Sequence, residues 1–513
     1  MTLSCKAPRR VLFPISAHRQ PTNVKKKKKK SRQLSTNWVI RFVPAELWRS
    51  IFRFVSASSP FDESGILRIL GVSQVCSSWR SITDNSPELW TNVVLRYNGK
   101  KKRSFPNANF HSYVLKKSRG LPLTMGILAA TLPTFSSVKD TKALELYLKA
   151  MHRAKMLRLQ DADILYNYIF QHSREEDIPD LVQPGLLLEK IEIDMASDAA
   201  QGSVFPLLSR LWKPAPLVSS MSFFGLNVGE IDFQAFRDTK FPFHQITSLE
   251  FNCPVFDDTL ELMVSLMPAL VNISLHSICQ LGDDFPDPTR EELLDLRTVS
   301  LGGPSYITSK DQDLSPLMDF FEYFSAPALT TLRLSFDSGW TPESFTSFLE
   351  RSTARIQHLH FDILDATDSH RIECLKLLPS LRTLNLSFTA GLTRDFEQTS
   401  LIGKHFLDAM SEWDASEKQF VICPRLKQLT IDYDTLADPT TVAFADMVED
   451  RWRLSTAGKK REFEVVVKEA ARLGGSQKSV SEMVRLLLLQ KVGLKLVVEP
   501  RSWLEGVFDR NLL

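Results

Sequence analysis

Long apolar runs are missing from this sequence. No stretch approaches the roughly 18 consecutive apolar residues of a membrane-spanning helix. The N-terminus has no apolar segment followed by a small-residue cleavage site, so neither a membrane span nor a secretory leader is expected. Cysteine is sparse: Cys5, Cys76, Cys253, Cys279, Cys374 and Cys423 are scattered and form no CxxC pair. That speaks against a disulfide framework and a structural zinc site, and leaves buried free thiols of a reducing compartment. Also missing are a GxxxxGK(S/T) phosphate loop, a GxSxG elbow, an HExxH pair and a GxGxxG turn. No catalytic residue, cofactor or metal is therefore assigned, and the chain is read as no enzyme. His358 and His360, two apart on a predicted strand, would be two metal ligands without a third.

Acid is absent from residues 1–38, which hold eleven Lys and Arg. Taking those away from the net +3 leaves residues 39–513 at −8. A mildly acidic body argues against a nucleic-acid-binding domain. The six lysines Lys25–Lys30 repel one another in a segment with few large apolar residues, so residues 1–38 read as a disordered basic tail. The same run fits a nuclear import signal or a weak polyanion contact.

What is present begins with a helical pattern from Trp38 to Leu95. In VPAELWRSIFRFV, Pro44 can open a helix, because a first-turn N–H needs no partner. Leu47, Trp48, Ile51, Phe52 and Val55 recur at three- and four-residue steps. SASSPFDESG (residues 56–65) is a loop signal. Further apolar series follow, from Ile66 to Val75 and then Cys76, Trp79 and Ile82, before DNSPELW closes the unit. About fifty residues is near the limit of what one core stabilises alone. Such a unit either leans on the rest of the chain or binds a partner through leftover apolar surface. Residues 96–120 read as a basic connector with a helix ending at LKKSRG, and LPLTMGIL (121–128) as an extended segment.

From about residue 150 an apolar-x-x-apolar-x-apolar template recurs ten times. The copies are Ala154/Leu157/Leu159, Leu188/Ile191/Ile193, Val218/Met221/Phe223, Ile246/Leu249/Phe251, Leu270/Ile273/Leu275, Leu296/Val299/Leu301, Leu329/Leu332/Leu334, Ile356/Leu359/Phe361, Leu381/Leu384/Leu386 and Leu426/Leu429/Ile431. Most steps lie near the roughly 20–29 residues of a leucine-rich repeat, the longer ones holding insertions. APALTTLRL, MPALVNISL, LPSLRTLNL and CPRLKQLTI carry a proline two residues ahead of the template, which ends the preceding element. The text between copies, such as TPESFTSFLERS, is helix-like.

The implied fold class is α/β: a small helical unit followed by a solenoid over residues 121–440. Parallel strands would line its concave face and return helices its convex face. The template weakens after Asp432, and residues 441–513 are the expected C-terminal cap. Candidate substrate-facing residues lie between the last two template positions: Arg158, Glu192, Ser222, Glu250, Ser274, Ser300, Arg333, His360, Asn385 and Thr430. Lys190, His358, Asp362, Gln428 and Asp432 flank them. The mixture has no dominant charge and implies neither an acidic nor a basic ligand.

Residues 43–90 resemble the F-box. Val43-Pro44, Glu46-Leu47, Ile51-Phe52, Val75-Cys76, Trp79-Arg80 and Leu89-Trp90 follow one another in the family's order. Val43 stands where leucine is usual, and the 56–65 loop is longer than typical. The runs SQVCSSWRSI and SPELW, with LKKSRGLPLTMGI further on, are similar to those of fungal F-box proteins with an irregular leucine-rich-repeat-like C-terminal region. The resemblance implies a three-helix-type F-box domain at 39–95 docking the Skp-type adaptor of a cullin–RING ubiquitin ligase, with the repeats holding an unknown protein substrate. Carried onto matching positions, it implies adaptor contacts by Pro44, Leu47, Ile51, Phe52, Val75, Cys76, Trp79, Leu89 and Trp90. Trp79 would also belong to the helical core, and Trp90 would either join the contacts or pack against the connector. Catalysis would then belong to other subunits, and the chain would work in the nucleus, the cytoplasm or both. Competing readings are a repeat scaffold that delivers no substrate, an enzyme with a noncontiguous site in the repeats, and nucleic-acid binding through Lys25–Lys30.

Overall fold

The computed structural model describes residues 43–56, 63–98, 103–105, 107–129, 141–160, 185–194, 215–224, 241–279, 291–302, 320–322, 324–337, 342–352, 355–364, 367–386, 402–432, 443–454, 463–468 and 480–499. Among the described residues three helices come first: α1 (Ala45–Ser56), α2 (Glu63–Val75) and α3 (Ser77–Asp84). Pro44 stands just outside α1, and its carbonyl accepts from the Leu47 and Trp48 amides at 3.1 and 3.2 Å. The inward side of α1 carries Trp48 and Phe52, whose rings lie 4.8 and 5.2 Å from that of Trp79 on α3. A single turn, Pro87–Trp90, then places Trp90 in the core. Its indole N–H donates to the Thr83 carbonyl at 2.9 Å, as a buried indole requires.

The strands are β1 (Asn92–Asn98), β2 (Arg103–Phe105), β3 (Leu123–Ala129), β4 (Ala154–Leu159), β5 (Lys190–Asp194), β6 (Ser220–Phe224), β7 (Ser248–Phe256) and β8 (Asn272–Cys279), followed by β9 (Thr298–Gly302), β10 (Thr331–Asp337), β11 (His358–Leu364), β12 (Thr383–Leu386), β13 (Gln428–Asp432), β14 (Glu464–Lys468) and β15 (Lys495–Glu499). Among the described residues they form one sheet, ordered β2-β1-β3 and then consecutively to β15. Only β2 pairs antiparallel; the other neighbours are parallel, as crossover connections dictate. The crossovers include α4 (Ala108–Lys117), α5 (Thr141–Lys149), α6 (Asp257–Ser265), α7 (Pro342–Ser352), α8 (Asp368–Lys376), α9 (Lys404–Ser411), α10 (Ala443–Leu454) and α11 (Val480–Lys491). From α7 to α11 each helix packs on the next. The whole is a mixed α/β, solenoid-like fold with a helical unit at its start.

The ten template copies stand on ten successive strands, β4 to β13. Their middle residues Leu157, Ile191, Met221, Leu249, Ile273, Val299, Leu332, Leu359, Leu384 and Leu429 pair neighbour to neighbour as one row. None is more than 2% exposed. A single unit could not bury that face; the stack does. The prolines set the phase. Pro268, Pro327, Pro379 and Pro424 each take the second position of a turn, where their fixed φ fits. Those turns are closed by the Leu270, Leu329, Leu381 and Leu426 amides on the Met267, Ala326, Leu378 and Cys423 carbonyls. From Glu189 to Arg382, the carbonyl just ahead of each strand accepts two amides of the next unit; that of Thr330 takes Gln357 and His358 at 2.8 and 3.0 Å.

Two boundaries differ from the sequence reading. Residues 96–120 are not a loose connector: β1 carries the helical unit directly into the sheet, pairing with β3 from Asn92↔Thr124 to Tyr97↔Ala129. Lys117 on α4 reaches Asp84 of α3 at 2.8 Å, and Arg119 donates to the Asp84 carbonyl at 3.3 Å. Arg119 and Gly120 turn the chain with φ of 47° and 82°. Arg153 ties the far side, donating to the Leu121 carbonyl and the Ser118 hydroxyl at 2.8 and 2.6 Å. At the other end, the segment read as a cap contains two more parallel strands, β14 and β15. Their rungs continue the pattern, but Val466 and Val497 replace the polar residue between template positions, which hid the repeat.

Candidate interaction surfaces

Helix α1 is apolar on two sides. Trp48 and Phe52 face the core, while Leu47, Ile51 and Phe54 are exposed. At 100° per residue these three fall within about 60° of arc, and Pro44 lies at its edge. Phe54 is 84% exposed and Leu47 54%. On α2, Leu67 and Val75 are exposed as well. The family pattern did not point to Phe54; its helical spacing to Ile51 and Leu47 could have.

The other expected adaptor contacts divide. Phe52, Leu89 and Trp90 are buried, so in this structure their side chains are core and do not face a partner. Trp90 sits edge-on against Tyr113 of α4, ring centroids 5.5 Å apart, which is the packing against the following segment. Trp79 is half-buried in the ring cluster with Trp48 and Phe52. Cys76 caps α3, its sulfur accepting from the Trp79 amide at 3.4 Å, and is half-buried.

On the sheet, Arg158, Glu192, Ser222, Glu250, Ser274, Ser300, Arg333, His360, Asn385 and Thr430 form one row, each pairing with the next. Alternation along each strand turns them away from the buried template residues. The row is not uniform. Glu192 is buried, 2.8 Å from Lys190 and 3.8 Å from Arg158, so it is not the open contact its position implied. Arg158 also lies over the Phe224 ring at 5.0 Å. Ser222 is buried and donates to Glu250 at 2.9 Å. Across β4–β7 the charges are thus engaged with one another. Farther along, Arg333 and His358 are exposed, His360 and Asn385 half-buried. His358 Nδ1 lies 2.7 Å from the Thr383 hydroxyl. The Asp362 and Asp432 side chains, and the tail with Lys25–Lys30, lie outside the described residues.

Among the described residues no group of three or more His, Cys, Asp or Glu is placed to hold a metal ion. The described thiols Cys253, Cys374 and Cys423 are buried and free, and burial pushes Cys253 and Cys423 up to about 12. Thiols so desolvated are not nucleophiles at neutral pH.

Comparison with known proteins bears on the helical unit. Residues 40–96 match the F-box-like family model, so the chain carries an F-box-like domain that ends on strand β1. F-box domains bind Skp-type adaptors in cullin–RING ligases, in which F-box proteins serve in general as non-catalytic substrate receptors. No curated protein matches the chain.

Proposed function

We propose that this chain is the substrate-receptor subunit of a Skp–cullin–F-box-type ubiquitin ligase. Its F-box-like domain docks the Skp-type adaptor through the exposed Leu47, Ile51 and Phe54 arc of α1 with Leu67 and Val75 of α2. The leucine-rich-repeat-like sheet, of the kind found in fungal F-box proteins, holds a protein substrate against the Arg333–His360–Asn385 part of its polar row. The observation that carries the reading is the second apolar face of α1, within a domain matching the F-box-like model. A helix apolar on both sides is buried on both sides in its working state. The receptor contributes effective concentration, holding a substrate near the transferring machinery. Lys25–Lys30 serve nuclear import.

The test is capture of the purified Skp-type adaptor by the full chain. Leu47→Asp with Ile51→Asp should lower affinity by at least about a hundredfold, as loss of central apolar anchors does, while leaving the melting temperature within a few degrees. Undiminished capture would reject the α1 face. For the receptor half, Arg333→Ala with His360→Ala should abolish capture of whatever cellular protein accumulates when the chain is deleted; if no protein accumulates, the scaffold reading replaces this one.

A further inference from the structure

The end of the sheet opposite the helical unit presents an unpaired edge. Among the described residues β15 is the last strand; it pairs with β14 on one side and has no strand partner on the other. The Gln490 amide of α11 reaches the Leu496 carbonyl at 3.0 Å, and a carbonyl takes two donors. Helix α11, which leads into the strand, is apolar on two sides. Leu486 and Leu489 are buried, while Val484, Leu487, Leu488 and Val492 are exposed, as are Val497 and Val498 of β15. Exposed aliphatic groups on both the last helix and the last strand mark an interaction surface.

The order of residues in β15 says what fits it. The strand reads KLVVE from Lys495 to Glu499, a sequence complementary to its own reverse. Laid antiparallel against a second copy, Lys495 stands opposite Glu499, Leu496 opposite Val498, and Val497 opposite its own counterpart. Residues opposite one another share a face of the sheet. Alternation puts Lys495, Val497 and Glu499 on one face, and Leu496 and Val498 on the other. A single register therefore matches both faces: two ion pairs flank a valine pair on one, and aliphatic pairs lie on the other. A lysine on an edge strand ordinarily blocks pairing; here Glu499 answers it. The sheet already sets its charges in this way, with Glu464 of β14 in register with Lys495 and Lys468 with Glu499. Across the junction the row alternates in sign: Glu464 and Lys495, then Glu499 and Lys468 of the second copy.

The helices fit the same symmetry. A twofold axis between antiparallel strands of one sheet is perpendicular to it, so both α11 helices lie on the same side. Arg485 reaches Asp446 and Glu449 of α10. Leu487 stands about 160° round α11 from Arg485, facing away from α10 and toward the second copy.

We propose that the chain forms a twofold dimer through β15 and α11, with Lys495 of each copy paired to Glu499 of the other and Leu487 and Leu488 packed across the axis. Such an interface uses one patch twice and closes on itself, so it yields a dimer and not a fibre. It leaves the two helical units at opposite ends of the joined sheet and is independent of the ligase reading. Light scattering and sedimentation of the full chain should show a dimer at micromolar concentration. Lys495→Glu and Glu499→Lys, each alone, turn both cross-strand ion pairs into like charges and should raise the dissociation constant by about tenfold or more. An equal mixture of these two variants, and the double variant in one chain, should return to within a few fold of the parent, because opposite charges meet again. Leu488→Lys should be monomeric. A parent chain that is monomeric at every concentration reached overturns the proposal and leaves the edge to another occupant, such as an added strand of a different protein. A dimer unmoved by either single charge reversal, or two single variants that fail to pair with each other, overturns it too and places the interface elsewhere.

Discussion

The outward side of α1 and the outward row of the sheet are opposites. The helix leaves Leu47, Ile51 and Phe54 exposed, with nothing among the described residues to cover them. The sheet leaves polar groups that have settled among themselves: Arg158 and Lys190 on Glu192, Ser222 on Glu250, His358 on Thr383. An exposed apolar cluster costs free energy until something covers it, so it signals a partner. A polar face that is already paired carries no such cost, and binding there must first undo internal contacts. The helical unit therefore discloses its use more plainly than the sheet, although the sheet is far larger.

The comparison breaks most sharply at the C-terminal end of the F-box-like signature. Trp90→Ala should remove about 3–5 kcal/mol of stability, since it empties a fully buried site and takes one of two donors, the other being the Ser86 amide, from the Thr83 carbonyl. Urea denaturation reads this directly. A loss below 1 kcal/mol would place Trp90 back among surface contacts. Next in size is Arg451, buried on α10, whose guanidinium donates to the Met410, Ile422 and Cys423 carbonyls and lies 4.5 Å from the Phe420 ring. Burial lowers its pKa to about 10, so the charge persists at neutral pH. Arg451→Met should cost about 3 kcal/mol, because buried carbonyls lose their donors. That loss should leave adaptor binding unchanged, a separation that pull-down and melting together would check.

Much of the sheet was legible because its template repeats locally: three apolar positions, helped in four copies by a proline, fix both phase and face of the strand. The alternation placed Arg158 through Thr430 in one row. It could not say that Glu192 would be closed over by Lys190 of its own strand and Arg158 of the neighbouring one, because alternation gives a face and not the reach of a side chain along or across it. Likewise the order of motif residues identified the F-box-like domain without saying which side chains turn inward. Leu89 and Trp90 went into the core because a 3₁₀ turn between Ser86 and Thr91 aims them there. Phe54 went unnoticed because the resemblance directs attention to its own positions. The Arg451 network joins residues about thirty and forty apart in sequence, and no local pattern announces it.

Phe54 sharpens the comparison by affinity alone. Phe54→Ser should weaken adaptor capture by more than about 2 kcal/mol, the scale of an interfacial aromatic anchor. Its stability should stay within about 0.5 kcal/mol of the parent, since an exposed side chain has little folded-state packing to lose. Titration calorimetry and thermal melting on the same sample decide between them. A parallel loss in both would make Phe54 structural.

The smallest effect is expected at the seam where the two regions meet. Lys117 donates to Asp84 at 2.8 Å and lies 5.4 Å from the Tyr113 ring centroid. Hydrogen bonding to Asp84 raises the Lys117 pKa above its ordinary value. A lysine whose folded pKa is raised contributes stability fully present below its unfolded value near 10.4, lost as pH climbs through the folded one. Both partners are partly exposed, so solvent screens the pair, and Lys117→Met should cost less than about 1 kcal/mol at neutral pH. The difference between parent and variant should shrink above pH 10 and again in about 1 M salt, where the screening length falls to about 3 Å. A difference that ignores both pH and salt would mean that the Lys117 stem, packed across the seam, holds the helical unit to the sheet, and that the charge does not.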